Sequence, residues 1–459
     1  MRDKLKKLLP LIALLLFLPV ILLVLPEAVR YIGRATGVPA NINVDAEGFI
    51  GPMPHPWRNL AQGGEEKDRM LDDITAEISN LKTEYVRVDH IYDQYDVVHS
   101  DSGQLTYDWS KLDLFLGDIT RSGAKPFIAL SYMPPAISRG DIVDLPRSWD
   151  DWQAVVQATV QHVSGRNGLN ISDVYYEVWN EPDLFGGWKT YGEKNYLTLY
   201  SYAARGAQSA GNVNAFKFGG PATTALYLNW VNNFLNFARI NNLPVDFVSW
   251  HRYDTNLDVF EKDAASIRSW IESHPEFADI EYMITEWGHD PKNNPGYDTT
   301  FEAAFTMAGS AVMAGPIDKA FVFEIKDGPG PEQYWGRWGL LTHEKWGKPV
   351  EKPRYRALQL LNTLGGQRIS VGGQGSWVKG LGAWNNNQLQ TLLINYDPAG
   401  KHVENVPVTF VNLPSGNFVY QRTDFLGRTT SYPVATTAST WKVNALLNPN
   451  SAAMITLSF

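Results

Sequence analysis

YYEVWNEPDL, residues 175–184, is the most informative stretch of this 459-residue chain. Its first part, residues 175–179, predicts a short buried strand because it is mostly aromatic and aliphatic. The triplet Asn180-Glu181-Pro182 follows abruptly. Proline cannot donate to a sheet ladder, so the strand ends there and leaves an amide and a carboxylate at its mouth. Polar groups in that position favour contact with a ligand over packing.

A second stretch of the same kind is YMITEW, residues 282–287. Glu286 ends another short apolar run there. Glu181 and Glu286 are 286 − 181 = 105 positions apart, so local structure cannot bring them together. Only a fold that gathers the ends of its strands at one rim would place both carboxylates in one pocket.

Short apolar runs alternate with amphipathic segments from Asn59 onward, which is the pattern of a parallel βα fold. The predicted strands are Asn59–Gln62, Tyr85–Asp89, Lys125–Leu130, Val174–Trp179, Phe216–Gly219, Asp246–Trp250, Glu281–Thr285 and Ala320–Ile325. The predicted helices are Lys67–Lys82, Trp152–Val163, Tyr196–Ser209, Trp230–Asn241, Phe301–Ala314 and Pro353–Thr363. In the first of these helices, apolar residues such as Met70 and Ile74 recur along one face. Eight strands match a (β/α)₈ TIM barrel of about 250 residues. A doubly wound sheet, with ligands at its topological switch point, is the alternative.

The chain divides into four predicted regions. They are a basic tip and membrane anchor at residues 1–34, a linker at 35–57, the barrel at 58–364 and a β-sandwich at 365–459. The last region is rich in Gly, Asn, Thr, Val and Pro between short runs such as Leu389–Asn395, which favours a sandwich. The proline-rich linker is predicted either to lead out of the membrane or to lend a strand to the sandwich.

An uncharged apolar run covers residues 8–24. Its length is near the lower limit of roughly 17–25 residues for a transmembrane helix. Four basic residues precede it: Arg2, Lys4, Lys6 and Lys7. This bias predicts a cytoplasmic N-terminus with the rest of the chain outside. We therefore expect a single-pass protein of the cell membrane; the alternative is a secreted protein whose signal peptide is removed.

The composition excludes several classes of function. The net charge is −9, and no long basic run follows the first residues, so nucleic acid is not an expected partner. The chain has no cysteine, which excludes disulfides and thiol catalysis. Its nine histidines show no metal-binding spacing, and we expect neither a metal nor another cofactor. Aromatic residues make up 12% of the chain, which is typical either of a large aromatic core or of a cleft that stacks on sugar rings.

The predicted barrel brings Glu181 and Glu286 to the same rim, at the ends of strands four and seven. Two carboxyl groups across one pocket suit cleavage of a glycosidic bond. A separation of about 5–5.5 Å fits retention of configuration, and roughly 6.5–9.5 Å fits inversion. Arg87 and Tyr253 are candidate donors that would keep Glu286 ionised. Asn180 is a candidate donor to the sugar 2-hydroxyl. Either motif alone is more often a turn or a helix start, but the two together favour an active site.

Six segments, in order within residues 59–369, resemble glycoside hydrolase family 39, a family of retaining (β/α)₈ glycosidases. The segments are KPFIALSYMPPAI, EVWNEPDL, GGPATTALYLNWVNNFL, PVDFVSWHRY, ITEW and WGLLTHEKWGKPVEKPRYRALQLLNTLG. The resemblance implies that Glu181 is the general acid/base and Glu286 the nucleophile. It also implies that His251 and Tyr253 line the site of the glycone, the sugar whose bond is cleaved.

The chain departs from the family's pattern at two strands that grip the sugar. In strand eight, FVFEIKDG has no tryptophan but offers Glu324, so Trp335 or Trp338 is expected to supply the missing ring. In strand two, VRVDHIYD keeps the arginine but has Asp89 where a non-acidic residue is more usual. His90 is then expected to take the usual role of the family's histidine.

Further residues near the predicted rim have expected roles of their own. Trp287, after the nucleophile, is expected to face the cleft. Arg252, Lys326 and Arg337 would suit a uronate substrate. An ion-pair network at the rim is the alternative role for Asp89, Glu324 and Lys326.

These observations predict a membrane-tethered retaining glycosidase that acts on cell-surface or exported polysaccharide or oligosaccharide. The resemblance allows β-xylosidase, α-L-iduronidase, α-L-arabinofuranosidase and endo-acting hydrolase activities. Two other functions stay open: an inactive polysaccharide-binding or scaffold protein, and a transglycosylase on the same two glutamates. The sequence does not determine the sugar, the linkage, exo or endo action, or the oligomeric state.

Overall fold

A computed structural model describes residues 37–67 and 69–459 of the chain. Eight parallel strands close into a barrel. In chain order, and numbered one to eight below, they are Asn59–Gln62, Tyr85–Val88, Lys125–Leu130, Val174–Val178, Phe216–Thr223, Phe247–Tyr253, Glu281–Gly288 and Lys319–Phe323. The predicted TIM barrel is therefore confirmed, and the doubly wound alternative is wrong because strand eight pairs with strand one.

Helices surround the barrel. They are Thr75–Asn80, Ser110–Arg121, Trp149–Val163, Tyr196–Ser209, Leu228–Ile240, Asp258–Ile271, Thr300–Met313 and Pro353–Leu361. Single 3₁₀ turns lie at Pro56–Arg58, Pro275–Phe277, Pro295–Asp298 and Glu344–Trp346. Side-chain caps begin several of the helices; for example, the Asn195 side chain accepts a hydrogen bond from the backbone N–H of Leu197.

The helix predicted at Lys67–Lys82 is much shorter in the structure, at Thr75–Asn80. Met70 and Ile74 are buried as their spacing predicts, but they lie in the turns before the helix. Burial of an apolar face therefore does not require a regular helix along its whole length.

Strand alternation divides the buried residues into two sets. Side chains on the inner face fill the barrel with the aromatic cluster Ala61, Phe127, Tyr175, Phe247, Met283, Phe321 and Phe323. Residues on the outer face of the strands, such as Val86 and Ile284, belong to the larger core between the strands and the helices. The same alternation decides which polar side chains reach the pocket at the barrel mouth.

Nine further strands form one sheet. They are Ile42–Pro52, Gln367–Gly372, Val378–Asn385, Gln388–Asn395, Glu404–Val411, Gly416–Asp424, Thr429–Thr436, Trp441–Leu447 and Ser451–Ser458. Rings from strands near opposite ends of the sheet meet, with centroids 5.4 Å apart for Phe418 and Trp441 and 5.2 Å for Tyr420 and Trp441. The predicted sandwich is thus a single sheet that curls onto itself. A separate hairpin joins Val98–Asp101 and Gln104–Tyr107.

The predicted linker lends a strand to this sheet, as one of the two expectations had it. Ile42–Pro52 pairs antiparallel with Gln367–Gly372 and parallel with Glu404–Val411. The sheet also contacts the barrel, since the Tyr396 hydroxyl donates to the carbonyl of Thr255 at 2.9 Å.

The predicted membrane anchor, residues 1–34, lies outside the described residues. Among the helices of residues 37–67 and 69–459, none combines the length and apolar character that crossing a membrane requires.

Candidate active site

Strand four delivers the first glutamate to the barrel mouth. Tyr175 and Glu177 point inward along the strand, and the chain then turns sharply. Trp179 and Glu181 have φ angles of 74° and 44°, in the left-handed region that non-glycine residues rarely adopt. The backbone N–H of Glu181 donates to the carbonyl of Ala222 at 3.0 Å, which fixes the turn against the end of strand five. This unusual backbone aims the Glu181 side chain over the pocket.

Strand seven delivers the second glutamate through an irregularity. Its register with strand six shifts between Ile284 and Glu286, which is a β-bulge or a similar irregularity. Glu286 therefore faces the pocket, and Trp287 faces outward. The expectation that Trp287 faces the cleft is wrong: its side chain is fully buried and packs on Phe260 and Phe305, with ring centroids 5.9 and 5.6 Å away.

The two predicted catalytic glutamates meet in one pocket. One carboxylate oxygen from each, together with a ring nitrogen of His251, lies within 4.8 Å of the others. His251 Nδ1 is 2.9 Å from Glu181 Oε1 and 3.4 Å from Glu286 Oε2. Since an N–H can donate to either oxygen, His251 connects the two carboxylates directly.

Arg87 supports the site from beneath and is itself buried. Its guanidinium donates to three acceptors: Glu177 Oε2 and Glu286 Oε1 at 2.8 Å each, and Asn180 Oδ1 at 2.7 Å. The predicted contact between Arg87 and Glu286 is present. Because each of its three guanidinium nitrogens donates to one of these residues, we assign Arg87 to positioning of Glu286 and Asn180.

Glu177 is the partner that the sequence analysis missed. Its carboxylate is fully buried in the middle of strand four. The sequence contains a signal for this role. Glu177 is the one acid in strand four and lies two residues after Tyr175, which faces inward, so its carboxylate also faces the barrel interior and needs a buried cation.

Two further predicted residues contact the glutamates or their supports. The Tyr253 hydroxyl donates to Glu286 Oε2 at 3.1 Å, as expected. The Asn180 amide donates to the Tyr132 hydroxyl at 2.9 Å. The suggested bond from Asn180 to a sugar hydroxyl stays a prediction.

Burial and neighbouring charges oppose each other at this site. Burial raises the pKa of the Glu286 carboxyl above its ordinary value, although His251 and Arg87 act to lower it. For His251, burial acts to lower the pKa, but the carboxylates of Glu286 and Glu181 outweigh it and raise the pKa above its ordinary value. Burial and the Glu286 charge raise the pKa of Tyr253 well above its usual range, so this phenol remains a donor.

His90 lies at the rim of the same pocket. Its ring contacts Tyr132 edge-on, with centroids 4.6 Å apart, and its Nδ1 is 2.8 Å from Asp93 Oδ2. The contact between His90 and a sugar stays a prediction. It is compatible with the position of His90 beside Tyr132, the residue to which Asn180 donates.

Glu324 and Trp335 lie in a neighbouring cluster above strands eight and one. Glu324 is buried, and its Oε2 accepts from Gln62 at 3.2 Å. Burial and nearby Glu65 raise the pKa of Glu324 well above its ordinary value. Trp335 lies farther out, with the Arg337 guanidinium 5.2 Å from its ring centroid. None of these contacts reaches Glu181 or Glu286, so the structure does not group Glu324 and Trp335 with the two glutamates.

Trp338 lies closer to the barrel mouth than Trp335. Its ring packs on Phe323, with centroids 5.2 Å apart, and Phe323 belongs to the aromatic cluster inside the barrel. Of the two predicted rings, Trp338 is therefore the better candidate for the one at strand eight.

The basic residues suggested for a uronate are all paired within the protein. The pairs are Arg252 with Asp263 at 2.7 Å, Lys326 with Asp73 at 3.0 Å and Glu344 at 2.7 Å, and Arg337 with Glu65 at 3.1 Å. The suggestion is therefore withdrawn, and the alternative ion-pair role holds for Lys326.

Two clusters in the described part of the chain place possible metal ligands within 4.8 Å of one another. They are Glu181, His251 and Glu286, and Glu66, His343 and Glu344. In the first, His251 is bonded to a carboxylate. In the second, the N–H of Lys345 donates to His343 Nδ1 at 2.9 Å, so Nε2 carries the proton and donates to Glu66. In both clusters a hydrogen bond joins the histidine to a carboxylate, which accounts for their close approach without a metal.

Fold and site together define a class: (β/α)₈ barrels with two glutamates at the ends of strands four and seven. Residues 40–392 match the profile of "Glycosyl hydrolases family 39". The chain belongs to this family.

Two curated relatives are both named beta-xylosidase. The one from Caldicellulosiruptor saccharolyticus is 28% identical over 307 residues, covering 59% of this chain and 60% of the relative. The one from Geobacillus stearothermophilus is 27% identical over 305 residues, covering 58% of each. This chain therefore spans less than two thirds of the length of either relative.

Solved structures share the fold at low identity. The GH39 enzyme from Xanthomonas axonopodis pv. citri has a TM-score of 0.75 at 20% identity, covering 92% of this chain and 97% of that one. A monomeric beta-xylosidase from Caulobacter crescentus CB15 also has a TM-score of 0.75 at 20% identity, covering 91% and 99%. The likeness therefore includes the curled sheet as well as the barrel.

Glu177→Ala is expected to lower the free energy of unfolding by about 3 kcal/mol, because it leaves the buried Nε–H of Arg87 without a partner and removes a balancing charge. Urea denaturation followed by tryptophan fluorescence measures the change. Glu84→Ala is the control: the Glu84 side chain is 49% exposed and lies 3.8 Å from Arg58, so its loss should stay under about 1 kcal/mol. Equal losses in the two variants would contradict the role given to Glu177.

Glu286→Gln is expected to lower the pKa of His251. The substitution removes a carboxylate that raises this pKa, while burial continues to lower it. NMR titration of ¹⁵N-histidine-labelled protein measures the midpoint. Glu281→Gln, at the other end of strand seven, serves as the control and should leave it in place. A His251 pKa that is unchanged or higher in Glu286→Gln would show that the two groups are not coupled as described.

Proposed function

We propose that this protein is a retaining glycoside hydrolase in which Glu286 is the nucleophile and Glu181 the general acid/base. The observation that carries the proposal is the close approach of the two carboxylates, since one oxygen of Glu181 lies within 4.8 Å of one oxygen of Glu286. This separation fits the spacing of about 5–5.5 Å typical of retaining enzymes better than the wider spacing that admits a water between the groups.

In the first step, a carboxylate oxygen of Glu286 attacks the anomeric carbon. Glu181 gives its proton to the glycosidic oxygen, so the carbon–oxygen bond breaks and the leaving group departs as an alcohol. Arg87 and Tyr253 both donate to Glu286, which fixes the direction of the attacking carboxylate. The result is a glycosyl ester on Glu286.

In the second step, Glu181 acts as a base. It takes a proton from a water molecule, whose oxygen attacks the anomeric carbon and releases Glu286 as a carboxylate. Two inversions give net retention. His251 can stabilise the Glu181 carboxylate through its Nδ1–H, since the two atoms are 2.9 Å apart.

The substrate that we propose is a cell-surface or exported polysaccharide or oligosaccharide. The two beta-xylosidase relatives make aryl β-xylosides the first substrates to test. The placement outside the cell rests on the sequence of residues 1–34 alone. Fractionation of cells that express the full chain, or a variant without residues 1–34, tests this placement: the full chain should be in the membrane fraction.

Hydrolysis of a panel of 4-nitrophenyl glycosides and polysaccharides tests the proposed function. ¹H NMR of the first product should show the anomer of the substrate, before mutarotation. The opposite anomer would overturn the retaining mechanism. Binding without any turnover would favour the scaffold alternative, and transfer to sugar acceptors in place of water would favour a transglycosylase.

A further inference from the structure

Asp89 stands at the end of strand two, on the inner face of the barrel. Arg87 faces inward, since it bonds to Glu286, and Val88 is in the outer core. The alternation of a strand therefore turns Asp89 inward again, one step nearer the mouth than Arg87. The Asp89 carboxylate also influences the pKa values of Glu286 and Tyr132, which places it beside the two glutamates.

The Asp89 carboxylate is buried without a partner for one of its oxygens. Its residue is 8% exposed, and no group in the described part of the chain donates to Oδ1. Buried carboxylate oxygens ordinarily accept hydrogen bonds, because leaving one unpaired costs about 1–3 kcal/mol or more. An unpaired acceptor beside a catalytic pair therefore calls for a donor from outside the chain.

The basic side chains near Asp89 bond to other acceptors. The three donating nitrogens of Arg87 bond to Glu177, Glu286 and Asn180. His90 Nδ1 is paired with Asp93. None of these bonds reaches Asp89 Oδ1, which has no donor among the described residues.

We propose that the Asp89 carboxylate accepts a hydrogen bond from a hydroxyl of the glycone and so selects neutral sugars over uronic acids. This inference rests on the proposed function, which places a sugar ring between Glu181 and Glu286. A sugar hydroxyl supplies the missing donor, and such a bond to a charged acceptor is stronger than one between neutral groups.

The charges in the pocket predict that neutral sugars are preferred over uronic acids. Asp89 adds a carboxylate to those of Glu177, Glu181 and Glu286. The cations beside them are Arg87, His251 and His90, and each is bonded to an acid. The other basic residues considered for a uronate are held in ion pairs elsewhere. The carboxylate of a uronic acid would therefore meet like charge, and the cations named here are already bonded to acids of the protein.

The test combines sugar variants with Asp89 variants. For aryl glycosides of the best neutral sugar, one monodeoxy analogue should lose about 30-fold in kcat/KM with the unmutated enzyme. In Asp89→Ala that single penalty should shrink to about threefold, while the penalties at other positions persist. In Asp89→Asn the ratio of uronide to neutral-sugar kcat/KM should rise about tenfold. Asp96→Asn, an exposed acid in the loop after strand two, is the matched control and should change neither quantity.

Unchanged deoxy penalties in Asp89→Ala, together with an unchanged uronide ratio in Asp89→Asn, would overturn the inference. If the unmutated protein hydrolyses none of the glycosides, the proposed function fails and Asp89 is tested through binding. Saturation-transfer NMR with D-xylose, D-glucose and D-glucuronate is then the measurement. Loss of neutral-sugar binding in Asp89→Ala would support the role of Asp89, and retained binding would overturn it.

Discussion

Alanine in place of Glu286 is expected to reduce kcat on the best aryl glycoside by roughly 10⁵-fold, because the covalent step has lost its nucleophile. Glu286 is 6% exposed, and its two oxygens accept hydrogen bonds from Arg87 and Tyr253. A water molecule that fills the space in the variant would not replace the negative charge of the carboxylate. Steady-state kinetics on freshly purified variant and unmutated enzyme measure the loss.

Added azide provides the more specific readout for Glu286→Ala. The small anion can enter the space left by the carboxylate and attack the anomeric carbon once, while Glu181 still protonates the leaving group. The product should be a glycosyl azide of inverted configuration, identified by ¹H NMR. Glu281→Ala, at the start of the same strand, is the control and should keep activity within a few-fold of the unmutated enzyme. A fully active Glu286→Ala variant, or an azide product of retained configuration, would remove Glu286 from the nucleophile's role.

The barrel could be predicted because its strands are short and locally defined. Strands one and three match their predicted bounds. Strand three ends in the apolar run PFIAL, and strand one has an apolar pair between two polar residues. The strand at Ile42–Pro52 was harder, because it pairs with residues more than 300 positions away and contains a proline at its end. Local pattern carries no information about such distant pairing, so the sequence left two roles open for this segment.

The approach of Glu181 to Glu286 could be predicted because barrel geometry alone brings the ends of strands four and seven to one rim. Trp287 was misplaced because the irregularity at Thr285 changes which residues face inward, and a sequence pattern does not reveal it. The uronate suggestion failed for another reason. A basic side chain is free only if no acid pairs with it, and partners such as Asp263 for Arg252 are set by the tertiary structure.

Glu181→Ala is expected to divide substrates by their leaving groups. Without the general acid, kcat/KM on unactivated glycosides such as methyl glycosides or oligosaccharides should fall by about 10²–10⁴-fold. Dinitrophenyl glycosides should lose far less, because dinitrophenolate leaves without protonation. Kinetics on a series of aryl and alkyl glycosides measure this difference.

The second step of the same variant gives an independent result. Glu181 no longer activates water, so the glycosyl ester on Glu286 should accumulate and appear by mass spectrometry of the intact protein. Azide needs no base and should release the ester as a glycosyl azide of retained configuration, opposite to the product from Glu286→Ala. Glu193→Ala is the matched control, since Glu193 lies in the same loop with its side chain 79% exposed. A uniform loss across all leaving groups would mean that Glu181 positions the substrate without transferring a proton, because only proton transfer makes the cost depend on the leaving group.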